Sequence, residues 1–170
     1  VRRLPPTPPL GRLLYRAVVA ARYTGYTGWT ATVARGTGRR TATAYQNATY
    51  ALVNVFRTLA GLPGNVGAFA SPQQPDDQAA ALMMVANKTL SHTPPSNWIC
   101  YTQAGYDGAN HSNRTLGSSF HYNGPTATEG DRDDPGRNNP FVGHLRWHLY
   151  PQQANMTPGR ADATAPTAAD

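Results

Sequence analysis

The sequence predicts an α+β, loop-rich domain with an extended N-terminal arm, and three observations predict it. Two stretches carry helical periodicity, others carry the Thr, Val and aromatic content of strands, and 15 prolines and 16 glycines among 170 residues force frequent turns. A chain of this length supports one domain of ordinary size with tails. The expected division is a basic, Pro/Thr/Gly-rich arm over residues 1–43, a domain over 44–159 and a tail over 160–170.

In the arm, Pro5, Pro6, Pro8 and Pro9 form a polyproline-like opening that cannot join a sheet interior. Residues 13–22 (LLYRAVVAAR) suit a short helix. Residues 23–43 (YTGYTGWTATVARGTGRRTAT) favour extended structure, as a strand pair or an edge strand. The first 40 residues hold eight arginines and no acid, whereas residues 41–170 hold seven basic and nine acidic groups, so the net charge of +6 belongs to the arm. A basic arm suits an anionic surface. Nucleic acid is the weaker reading, because the arm has no lysine and its Tyr and Trp alternate with Thr and Gly as in a strand.

The first domain helix is expected over 49–60, with Leu52, Phe56 and Leu59 on one face and Gly61 then Pro63 as the stop. The second is expected over 76–92. Ala79, Met83, Ala86 and Leu90 form its apolar stripe, Pro75 with Asp76 and Asp77 suits its start, Lys88 suits its end, and Pro94 and Pro95 stop it near His92. Residues 93–139 read as turns and short aromatic segments, with an acidic loop at 129–134. Residues 141–150 (FVGHLRWHLY) read as a strand ended by Pro151. On this reading Leu52, Phe56, Leu59, Leu82, Met83, Ala86, Leu90, Val142 and Trp147 share one core.

Several function classes drop out. No apolar run reaches the ~18 residues of a membrane span. The single cysteine, Cys100, excludes an internal disulfide framework and reads as a small buried hydrophobe. The glycosylation signal Asn-x-Ser/Thr occurs at Asn47, Asn87, Asn110, Asn113 and Asn155. Random placement of this composition gives roughly 1.6 such sites, so the excess, although modest, points to the cell exterior. The chain begins at Val1, for which a removed signal peptide is one ordinary explanation.

The segments VNVFRTLAGLP (53–63), AALMMVANKTLSHTPP (80–95), WICYT (98–102), SNRTLG (112–117), DPGRNN (134–139) and VGHLRWHLYP (142–151) occur in the order seen in bacterial CAP-domain proteins. The chain resembles that superfamily of cysteine-rich secretory, antigen-five and pathogenesis-related proteins over roughly residues 50–159. The resemblance implies an α/β/α sandwich, with helices on both sides of a small antiparallel sheet. It also implies a cleft lined by two histidines and two acids, and His92 and His144 fall at the histidine positions. Ser112 stands before Asn113 where the family commonly has Glu, and Glu129, Asp131, Asp133 and Asp134 all compete for the second acidic position.

Two histidines and one acid fall short of a closed zinc site, although water or a carboxylate can complete the shell. His92 and His144 are therefore candidate ligands of a divalent metal such as zinc, and the candidate catalytic residues. The competing reading makes them histidines hydrogen-bonded within a structural cleft. A strand at 141–150 sets His144 and His148 about 13 Å apart, too far to share an ion. Neither Ser91 nor Ser112 lies in a nucleophile-elbow motif.

The expected function is that of a secreted, non-catalytic CAP-like protein binding or self-assembling at the cell exterior, as a glycosylated filament or surface-layer subunit. Expected partners are further copies of the chain, N-linked glycans, and a polysaccharide or other anionic surface. One alternative is a CAP-like hydrolase or metal-dependent enzyme using His92 and His144. Another is an anionic-polymer binder acting through the arginine-rich arm.

Overall fold

The computed structural model describes residues 8–20, 31–32, 37–38, 41–68, 73–115, 124–134 and 140–161. In chain order the elements are α1 (Pro8–Ala20), β1 (Ala31–Thr32), β2 (Thr37–Gly38), α2 (Thr43–Leu59), β3 (Gly67–Ala68), α3 (Gln73–Asn87), α4 (Gln103–Asn110), α5 (Gly124–Asp133), α6 (Gly143–His148) and β4 (Asn155–Met156). The composition is α+β: helices dominate, and the described strands form two small sheets. β1 and β2 pair antiparallel, whereas β3 and β4 pair parallel, with Gly67 opposite Asn155. Pro5, Pro6 and most of the stretch read as arm strand lie outside the described residues, as do residues 162–170.

Helix α2 organises one half of the molecule. Leu52, Val53, Val55 and Phe56 are buried along it. Tyr15 of α1 stacks at a tilt on Phe56, with ring centroids 6.5 Å apart, and the Arg132 guanidinium of α5 lies 5.3 Å from the same ring. The helix ends in a Schellman turn. Leu62 N–H donates to Arg57 O at 2.8 Å and Gly61 N–H to Thr58 O at 3.0 Å, and Gly61 takes the left-handed φ of 78° that the turn requires.

Helices α3 and α4 form the other half. Ala80, Met83, Met84 and Ala109 are buried together, with Trp98 and Tyr101 packed against them. The close approach depends on small residues, since a Cβ at Gly108 would sit 2.3 Å from Asp76 O. Residues 157–160 tie the halves together. Thr41 Oγ1 donates to Pro158 O at 3.4 Å, Arg160 N–H donates to Gln78 Oε1 at 3.2 Å, and Gln78 Nε2 donates back to Arg160 O at 2.5 Å. Thr157 Oγ1 also donates to the Asp77 carboxylate. Among the described residues no helix is long and apolar enough to cross a membrane.

Several sequence expectations need correction. Residues 143–148 form helix α6 instead of a strand. Both its ends are satisfied from a distance. Asp134 Oδ2 accepts from His144 N–H at 2.9 Å, while Arg57 Nη1 donates to His148 O at 2.9 Å and to Tyr150 O at 2.8 Å. These tertiary caps outweigh the local β preference of FVGHLRWHLY. The acidic loop expected at 129–134 belongs largely to α5, and α4 lies within the stretch expected to be turns.

Helix α3 stops at Asn87, five residues before His92. Lys88 turns to a φ of 52°, and the Asn87 amide recruits the following loop, donating to Ile99 O at 2.9 Å and accepting from Ile99 N–H at 3.1 Å. The predicted core is accordingly too wide. Leu52, Phe56, Leu82 and Met83 are buried, but Leu59, Leu90 and Trp147 are 38%, 39% and 63% exposed. Leu59 and Leu90 lie at or past helix ends, and Trp147 sits beside the buried His148 on a helix whose successive residues face different ways.

Candidate functional site

Three segments supply the site: the loop after α3, residues 111–115 after α4, and the end of α5 with α6. Because 143–148 is helical, His144 and His148 share a face, one turn apart. Each has its own carboxylate. His144 Nδ1 lies 2.7 Å from Asp134 Oδ1, and His148 Nε2 lies 2.9 Å from Asp131 Oδ2.

Asp134 grips His144 at two points, through the ring Nδ1 and through the backbone N–H. This double grip sets both the start of α6 and the orientation of the imidazole. The backbone around it is unusual, with φ of 42° at Asp134 and 43° at Val142. For a β-branched residue such as Val142 that conformation costs about 1–3 kcal/mol, a strain typical of functional sites.

Asn113 joins the two His–Asp pairs. Its Nδ2 donates to Asp131 Oδ2 at 3.2 Å and to His144 O at 3.0 Å, and lies 3.4 Å from His148 Nε2. Thr115 Oγ1 donates to Asp131 Oδ1 at 3.3 Å. The His148–Asp131 pair is thus closed off by polar partners and buried, and His148 Nδ1 has no hydrogen-bond partner among the described residues. This pair is built to hold α6 onto α5.

His92 approaches from the other side. Its Nδ1 lies 3.0 Å from Ala109 O near the end of α4, and Arg114 Nη1 donates to the same carbonyl. Partial burial lowers the His92 pKa, and the positive charges of Arg114 and His144 lower it further, against the opposing effect of the hydrogen bond that Ala109 O accepts. The neutral imidazole is therefore favoured at His92. With both Nδ1 atoms within hydrogen-bond distance of an oxygen acceptor, the neutral form of each ring places its proton on Nδ1 and its lone pair on Nε2.

Among the described residues no group of three or more His, Cys, Asp or Glu is arranged to hold a metal ion. The ring nitrogens of His92 and His144 that these contacts leave unengaged are the two Nε2 atoms, with Asp134 committed to orienting one of the rings. Asp131 and Asp134 are the acids that the sequence left in competition with Glu129 and Asp133. Their roles depend on which histidine each meets across the fold, which local spacing does not encode. A strand would separate His148 from His144, and in the sequence only the i+4 offset of the two points to a shared helix face.

The five glycosylation candidates divide by environment. Asn47, Asn110 and Asn155 are exposed. Asn87 and Asn113 are partly buried with amides engaged internally, Asn113 within the site itself. Cys100 is partly buried with a φ of 61°. No protein-family model, no curated protein and no solved structure matches the chain.

Proposed function

We propose that the chain is an extracellular, CAP-like binding domain that takes a divalent metal ion, zinc by the nature of its donors, at the Nε2 atoms of His92 and His144. One observation carries the reading. Both histidines have Nδ1 held by an oxygen acceptor, Ala109 O at 3.0 Å and Asp134 Oδ1 at 2.7 Å, which is how proteins orient imidazoles toward a metal. The bias of His92 toward its neutral form supports the same use, because a ligand must be unprotonated.

Two protein nitrogens leave half of a tetrahedral zinc shell to water or to a bound molecule, which suits a binding role. The extracellular setting is supported by the exposed Asn-x-Ser/Thr sites at Asn47, Asn110 and Asn155, and the family by the ordered segments from 53 to 151. A metal-dependent hydrolase is the second reading, favoured by the same open positions: a metal held by His92 and His144 would lower the pKa of coordinated water. Calorimetric titration with zinc tests the proposal. Saturable binding that weakens at least about tenfold in both His92→Ala and His144→Ala is expected, and equal binding by the native chain and both variants would overturn it.

A further inference from the structure

Arg114 lies between two residues that face the other way. Asn113 and Thr115 both direct their side chains to Asp131, and Arg114 turns to Ala109 O, the carbonyl that His92 Nδ1 also meets. Its guanidinium carries five N–H donors, of which one contact to a carbonyl is made. Nε is buried with no hydrogen-bond partner among the described residues, and no ion pair to Arg114 occurs among them. The nearby carboxylates are otherwise engaged, Asp134 on His144 and Asp131 on His148, Asn113 and Thr115. Burial pulls the Arg114 pKa down to about 10, and no carboxylate among the described residues acts to raise it.

A buried guanidinium N–H without an acceptor is costly, and the fully buried guanidinium of this chain is met: Arg57 donates to three carbonyls, whereas the partly buried Arg114 leaves its buried Nε unpaired among the described residues. We infer that Arg114 forms an oxyanion subsite beside His92, binding a carboxylate or phosphate group of the ligand that enters the histidine cleft. The planar guanidinium matches either group with charge-assisted hydrogen bonds, where a lysine would offer only a point charge. The inference rests on that cleft being the binding site and assigns the sign and chemistry of what it binds.

The test uses the full, metal-free chain, titrated separately with inorganic phosphate and with acetate in a low-chloride buffer. Binding is followed by calorimetry and by the NMR signal of the Arg114 Nε–H. Saturable binding of at least one anion that moves this signal is expected. Arg114→Gln should weaken it at least about tenfold, and Arg114→Lys, which keeps the charge and loses the fork, should fall between. Whichever anion binds more tightly identifies the ligand group. Binding of neither anion, or equal binding by Arg114→Gln, would overturn the subsite. The Nε–H readout on the native chain decides the matter even if a variant fails to fold. Zinc titration of Arg114→Gln keeps the two proposals separate: native-like zinc binding with lost anion binding supports the subsite, and anion binding through Arg114 in a chain that takes no zinc removes the metal reading alone.

Discussion

The carboxylate of Asp134 holds His144 by both its ring and its backbone, with Oδ1 2.7 Å from Nδ1 and Oδ2 accepting from the amide N–H at 2.9 Å. One side chain thus caps a six-residue helix and sets the direction of the imidazole at its start.

Asp134→Ala should therefore fail in two separable ways. Loss of a buried acceptor from a helix start costs roughly 1–3 kcal/mol of stability, read by urea denaturation. Release of the ring should lower zinc affinity about 10–100-fold, read by calorimetry. A variant with the stability loss but native affinity would show that the carboxylate caps the helix without orienting His144.

Arg57 secures the other end of α6. It is 1% exposed, donates to Pro63 O, His148 O and Tyr150 O, and its pKa is lowered by burial. Arg57→Met keeps most of the volume and leaves those carbonyls without their donor, so a loss of roughly 3 kcal/mol is expected in urea denaturation. The far-ultraviolet helical signal should fall with it, because α6 has no other C-terminal partner of this strength among the described residues. A loss below about 1 kcal/mol would mean that α6 holds without Arg57.

Asp77 links stability to pH. Burial, with repulsion from Asp76, pushes its carboxyl up to about 7, and Thr157 of the closing segment donates to it. The folded chain keeps this proton where the unfolded chain releases it near pH 4, so the contribution is fully present below about pH 4 and is lost as pH rises through about 7. The shift corresponds to roughly 4 kcal/mol at most, since the partner Asp76 shares in it. Asp77→Asn should flatten this part of the stability–pH curve and slow hydrogen exchange in residues 155–161 at pH 8. An unchanged slope between pH 4 and pH 7 would assign the dependence to other groups.

How far the sequence revealed the structure varied with how local the cause was. Helix α2 was legible because Leu52 and Phe56 give its periodicity and Gly61 its stop, all within the helix or its turn. Helix α6 was not, because its caps come from Asp134 and from Arg57, ten and 91 residues from their partners. Helix α4 (QAGYDGAN) has no apolar stripe, and it forms where Gly105 and Gly108 let it press against the α3 backbone. In the site, His144 rests on the family resemblance, and His92 on that and on the expected helix stop before Pro94 and Pro95. The pairing of Asp134 with His144 and of Asp131 with His148, and the bridging amide of Asn113, depend on side chains meeting across the fold, and no spacing rule in this chain encodes them.

The claim that His92 and His144 present Nε2 to one ion is tested most directly by nitrogen-detected NMR of the histidine rings during zinc titration. The account predicts that both rings begin as Nδ1–H tautomers, that their Nε2 signals move together at one equivalent of zinc, and that His148, held by Asp131, stays unchanged. Nε2–H tautomers at either residue, or Nε2 signals that respond to zinc separately or not at all, would contradict it.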